Sequence, residues 1–190
     1  MTEQKGMISI GELLQQDKET IYEVTLLCST QKPIDTIFDT KCRPIYKMRY
    51  ENVIEIKDLW KSNAFMEIVL YLLKENGKSI EESELLTLRA DHYYFFISFI
   101  REELIRISNM ENELYAPPSS DLMLAGIDRL NVFEDANVID SLASGDLLKW
   151  EKITKLPYEM VYTKLMMNKV HNEIKESYSD IMRAKSKSRR

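Results

Sequence analysis

Apolar residues recur at every fourth position from Tyr158 to Met182, at Tyr158, Tyr162, Met166, Val170, Ile174, Tyr178 and Met182. This spacing predicts one long helix. A helix turns every 3.6 residues, so each four-residue step advances the stripe by roughly 40°, and six steps carry it through about 240°. No single partner surface can follow it. Pro157 is expected to open the helix, since its fixed φ and missing amide suit the first turn, while Leu156 before it is biased to extended geometry. Tyr158, Val161, Tyr162, Leu165 and Met166 span a face that can dock on the chain's own core. Ile174, Tyr178, Ile181 and Met182 have rotated away, and these four, with Trp150 and Tyr158 at the corner that leads into the helix, are the expected partner-binding residues.

Upstream, Phe65, Ile68, Val69, Leu72 and Leu73 share a helical face that stops at Gly77. A second helix or helix pair runs from Glu81 towards Leu114 through Leu85, Leu88, Phe95, Phe96, Phe99, Ile100, Leu104 and Ile107, with Ser79 and Glu82 as its capping box. Pro117 and Pro118 end it. Ser119 or Ser120 can then cap a short helix bearing Leu122, Leu124, Ile127 and Leu130, and another around Val138, Ile139 and Leu142 stops at Gly145. Asp146 caps the segment that follows. Near the start, Ser9 is a cap for Ile10, Leu13 and Leu14. Residues 20–28 fit either an alternating strand (Tyr22, Val24, Leu26, Cys28) or a helix face (Ile21, Val24, Leu27, Cys28), and helix is preferred. Pro33 should open a short helical segment through Ile37 and Phe38.

From Lys41 to Tyr50 the parity alternates as in a strand, with Cys42, Pro44, Tyr46, Met48 and Tyr50 opposite Lys41, Arg43, Lys47 and Arg49. Val53, Ile54 and Ile56 supply a β-branched return strand. Pro44 would confine the first strand to an edge. The expected fold is therefore predominantly α-helical, a helical bundle with a small β-hairpin near residues 41–58. The Pro117–Pro118 linker separates an N-terminal region, residues 1–116, from a C-terminal one, residues 117–190, the two packed as one domain.

Composition sharpens this picture by what it removes. With 190 residues, 44% of them hydrophobic, the chain can bury one sizeable core. Its most apolar run, Tyr93 to Ile100, falls far short of the roughly 20 residues that span a bilayer, so no membrane is expected as a partner. No signal-peptide pattern opens the chain, and synthesis in the cytoplasm is expected. A net charge of -5 argues against nucleic acid as the main partner. Chemistry is poorly represented. Only His92 and His171 are available for acid-base work; Asp91 beside His92 fits a capping role better than an orienting one, because adjacent helical residues point about 100° apart. Cys28 and Cys42 form no Cys-x-x-Cys pair, and neither phosphate-loop nor metal-ligand spacings occur. No catalytic residue, cofactor or metal is expected. The aromatic cluster of Tyr93, Tyr94, Phe95, Phe96 and Phe99 reads as core in preference to a base-stacking platform.

Two features stand apart. Lys41, Arg43, Lys47 and Arg49 would make one strand face cationic, either as a solvated edge or as a contact for phosphate or an acidic protein. Arg183, Lys185, Lys187, Arg189 and Arg190 form a basic tail, either as cations that favour the helix dipole at its C-terminus or, since they extend beyond its last turn, as an electrostatic landing segment.

The stretch Asp146–Leu165, through Trp150, Ile153, Leu156, Pro157, Tyr158 and Val161, resembles the C-terminal region of accessory proteins encoded in tailed-phage structural operons. There a Trp-containing amphipathic segment leads through a Leu-Pro-Tyr corner into a helix. The resemblance implies a non-enzymatic component of the virion neck or tail, or a chaperone of its assembly. Its partners would be copies of itself or other structural proteins. The alternative is a nucleic-acid-associated protein using the basic strand 41–49 and the basic tail.

Overall fold

The computed structural model describes residues 8–29 and 32–187. Among these the protein is predominantly helical, with ten α-helices and one two-stranded antiparallel sheet. The chain divides into two compact units, Met1–Ile107 and Ser108–Arg190, so the division falls upstream of Pro117 and Pro118.

In the first unit, α1 (Ile10–Leu13) begins with a complete capping box. The Glu12 amide donates to Ser9 Oγ at 3.2 Å, and the Ser9 amide donates to Glu12 Oε2 at 2.8 Å. The amides of Ile10 and Gly11 donate to the carbonyls of Leu88 and Leu86, both at 2.9 Å, and the Ala90 amide returns a bond to Ile8 O at 2.8 Å. Gly11 is suited to that approach, because a Cβ there would meet Leu86 O at 3.3 Å. The segment left open between strand and helix is α2 (Lys18–Ser29). Burial chose between the two patterns: Val24 and Cys28, one turn apart, pack with Leu13 and Ala90, whereas Tyr22, Leu26 and Leu27 remain exposed.

The hairpin exists but lies earlier than expected. β1 (Thr36–Ile37) pairs with β2 (Thr40–Lys41) across Phe38 and Asp39, both with positive φ, as the tight two-residue turn of a twisted hairpin requires. Pro33 thus leads into a strand and opens no helix. The expected return strand is helical, within α3 (Tyr50–Lys61), where Tyr50, Val53 and Ile56 are buried at helical spacing. Burying that stripe outweighs the weak strand preference of its β-branched residues.

α4 (Phe65–Glu75) has Ile68, Val69, Leu72 and Leu73 at 0% exposure, and Gly77 follows it at φ 87°. The expected helix pair is α5 (Glu82–Leu85) and α6 (Ala90–Leu114). Glu81, rather than Ser79, stands at the N-cap of α5 and makes no side-chain cap, so the predicted box does not form. Between the two helices, the backbone of residues 86–90 is engaged by α1.

The second unit contains the end of α6, α7 (Ser120–Leu124), a 3-10 segment Ile127–Phe133, α8 (Glu134–Ala143), α9 (Trp150–Thr154) and α10 (Tyr158–Lys187). Ser119 caps α7 by accepting from the Leu122 amide at 3.3 Å. Asp146 accepts from the Leu148 amide at 3.1 Å and starts the 3-10 turn that precedes α9. α8 and α9 pack together, with Ile139, Ala143 and Ile153 buried. The chain breaks between α9 and α10 where Pro157 predicts it, and Pro157 O accepts from the amides of Met160 and Val161. Among the described residues no helix is long and apolar enough to cross a membrane.

Candidate interaction surface

α10 is anchored at one end and bare along the rest of its outer side. Tyr158 and Val161 are 3% and 2% exposed. Tyr158 Oη donates to Glu111 Oε1 at 3.2 Å and Tyr162 Oη to Glu113 Oε2 at 2.7 Å, both carboxylates belonging to the last turns of α6. Lys169 Nζ adds a bond to Glu113 O at 2.6 Å. Burial, reinforced by the Glu111 charge, raises the pKa of the Tyr158 phenol; for Tyr162 the hydrogen bond to Glu113 is the main cause of an upward shift. Beyond this clamp the apolar side chains face solvent: Ile174 is 60% exposed, Tyr178 63%, Ile181 52% and Met182 48%. Burying one such side chain is worth about 1.5 to 3 kcal/mol, so a row left bare on one helix is a strong drive for association.

Not every residue expected to meet a partner is free to do so. Tyr158 is turned inward onto Glu111 and offers almost no surface. Trp150 is half-buried, and its indole N–H is enclosed without a hydrogen-bond partner. Met160 and Met167, 56% and 51% exposed, join the outer face although the four-residue stripe passed them by. Their signal was a different period, a seven-residue step that runs from Met160 to Met167 and on to Ile174.

A second apolar surface lies in the same unit. Neither α7 nor the 3-10 segment after it buries a residue, and Leu124 is 88% exposed, Val132 77% and Phe133 58%. Leu122, Ile127, Leu130 and Phe133 border a cleft of about 550 Å³ there.

The expected cationic strand face does not form. Lys41 alone of the four is in a strand, and it pairs with Asp35 at 3.4 Å. The Arg43 amide donates to Asn76 Oδ1 at 3.1 Å and its guanidinium to Glu75 O at 3.3 Å, so this residue satisfies groups at the C-terminal end of α4. Lys47, in the 3-10 turn Ile45–Lys47, lies over the Tyr46 ring, and Arg49 pairs with Glu51 at 3.4 Å. The strand pattern failed because burial follows a three-residue spacing, at Cys42, Ile45 and Met48, and the segment turns as a 3-10 helix there. In the tail, Arg183 pairs with Asp180 at 3.5 Å, α10 extends through Lys185 to Lys187, and Arg189 and Arg190 lie outside the described residues.

A cleft of about 950 Å³ in the first unit is lined by His92, Glu102, Glu103 and Arg106 among others. Its groups are largely committed to structure. Glu103 is 5% exposed and accepts from the Ile45 amide at 2.9 Å, and Asp91 binds Arg89 and the His92 amide rather than the imidazole. His171 is exposed and lines a separate cleft of the second unit. No group of three or more potential metal ligands occurs among the described residues.

Both cysteines are buried. Burial, with the Asp35 charge, pushes the Cys42 thiol from 9.0 up to about 11, and Cys28 is raised by burial and then by Asp91. Native chain at about pH 8 should therefore resist a thiol-labelling reagent that modifies both cysteines in denaturant. Because folding raises the Cys42 pKa, its contribution to stability is fully present below pH 9.0 and is lost as the pH rises to about 11. Labelling of the native chain as fast as of the denatured one would contradict this. No protein-family model, no curated protein and no solved structure matches this chain.

Proposed function

We propose that this is a non-enzymatic interaction protein that assembles through the outer face of α10, with copies of itself or other structural subunits. The observation that carries the reading is the contrast along one helix. Its inner side is clamped by Tyr158, Tyr162 and Lys169 to the end of α6, while Ile174, Tyr178, Ile181 and Met182 stand in solvent. The resemblance of residues 146–165 to accessory proteins of tailed-phage structural operons supports a role in a virion neck or tail, or in its assembly. A second reading, nucleic-acid association, is weakened by the contacts that Lys41, Arg43 and Arg49 make within the chain and keeps only the basic tail in its favour.

Truncation after Asn168 tests the proposal, since every side chain of the inner clamp except Lys169 is retained. The shortened chain should keep its helical circular dichroism per residue and elute as a monomer in size-exclusion chromatography with light scattering, whereas the full chain assembles. A full chain that is monomeric at every concentration, or a truncated one that assembles equally well, would overturn it.

A further inference from the structure

Resting on that reading, we infer that the partner of α10 is the α10 of a second copy, and that the two helices form a parallel, in-register, two-stranded coiled coil. Met160, Met167, Ile174 and Ile181 are spaced seven residues apart, and each is more than half exposed. A seven-residue repeat drifts by only about 20° per heptad on a straight helix, which a left-handed supercoil absorbs. A second helix can follow this seam. The four-residue stripe rotates twice as far at each shorter step and cannot be followed. Met167 and Ile174 also lie about 160 to 180° around the helix from Tyr158, so the seam faces directly away from the internal clamp.

With these four residues at position a, position d is held by Thr163, Val170, Ser177 and Ala184, all small enough for close approach of two helices. Ile174 and Ile181 supply the largest apolar side chains of the C-terminal half of the seam. The flanking charges set the direction. Position g carries Glu159, Met166, Glu173 and Asp180, and position e carries Lys164, His171, Tyr178 and Lys185, so the charges lie at both ends of the seam and Met166 and Tyr178 interrupt them. In a parallel pair, g of one helix faces e of the next heptad on the other, which sets Glu159 against Lys164 and Asp180 against Lys185. In an antiparallel pair g meets g and e meets e, so acids would face acids and bases would face bases. Complementarity selects the parallel arrangement, and with it the register.

Cysteine cross-linking of the full chain tests orientation and register together. In a parallel, in-register pair the two copies of Ser177 face each other at d, so Ser177→Cys should convert most of the chain to a disulfide-linked dimer in a glutathione buffer. Glu176→Cys, at position c and about 100° round the helix from Ser177, outside the a and d positions, should remain at the level of the unsubstituted chain, whose two cysteines are buried. Asp180→Lys should weaken the dimer, and adding Lys185→Asp to the same chain should restore it. All these positions are exposed, and circular dichroism verifies that each variant folds. Assembly that depends on residues after Asn168 but shows no preference for Ser177→Cys would overturn the parallel seam and leave the assembly reading standing. A monomeric full chain, or assembly unaffected by truncation after Asn168, would overturn both.

Discussion

Ile174→Asp is expected to leave the chain folded and to dissociate its assemblies. Ile174 is 60% exposed in the single chain, so an aspartate there loses little within one copy and stays hydrated. In the proposed dimer the same substitution would remove two apolar side chains, each worth about 1.5 to 3 kcal/mol on burial, and would set two carboxylates against each other at the seam. At about 1.4 kcal/mol for each tenfold, the dissociation constant should rise by more than about a hundredfold. Sedimentation or light scattering over a concentration series reads this shift, and the melting temperature of the monomeric variant reads its folding. Ile68→Asp is the contrasting substitution: Ile68 is 0% exposed on α4, and burying an unpaired carboxylate there should abolish folding rather than assembly. Loss of the fold in Ile174→Asp would show instead that the outer half of α10 belongs to the core of its own chain.

Glu103→Ala is expected to destabilise the first unit by about 3 kcal/mol, because it strands a buried amide with no replacement partner. The Ile45 N–H stands at the start of the 3-10 turn Ile45–Lys47, where the first amides of a helical turn have no acceptor within it. Glu103 Oε2 provides that acceptor at 2.9 Å from far along the chain, and Ile45 itself is 0% exposed. The pairing with Arg106, at 3.4 Å, adds less, since the arginine side chain is 58% exposed. Glu103→Gln keeps an acceptor oxygen and should recover most of the loss. Urea unfolding of the three chains separates the explanations: equal destabilisation by Gln and Ala would show that the negative charge, and not the hydrogen bond, is what the site needs.

Much of the helical framework was legible in local chemistry. The stops at Gly77 and Gly145 follow from φ values of 87° and 77° that glycine accepts without strain. The caps at Ser9, Ser119 and Asp146 each involve partners within three residues, and Pro157 imposes its break through its own ring. The Ser79–Glu82 box had the same local credentials and did not form, because α5 starts after Glu81 and the chain beyond it is engaged by α1. The hairpin was misplaced for a related reason. Alternation between Lys41 and Tyr50 is real in the sequence, but the fold buries Cys42, Ile45 and Met48, three residues apart, and the segment forms a 3-10 turn instead of a strand.

For the candidate interaction surface the balance differs. The sequence alone determined that residues 158–182 form a helix with more apolar surface than one internal contact can cover, since helical spacing and Pro157 are properties of consecutive residues. Which side is spent on the chain's own core was decided only by tertiary structure. Tyr158 and Tyr162 are held by carboxylates 47 and 49 residues away, a pairing that no local pattern contains. Once that clamp fixes the rotation of the helix, the seven-residue row of Met160, Met167, Ile174 and Ile181 is directed outward. Burial is a property of neighbours brought together by the fold, whereas turns, caps and helix period are properties of the residues themselves.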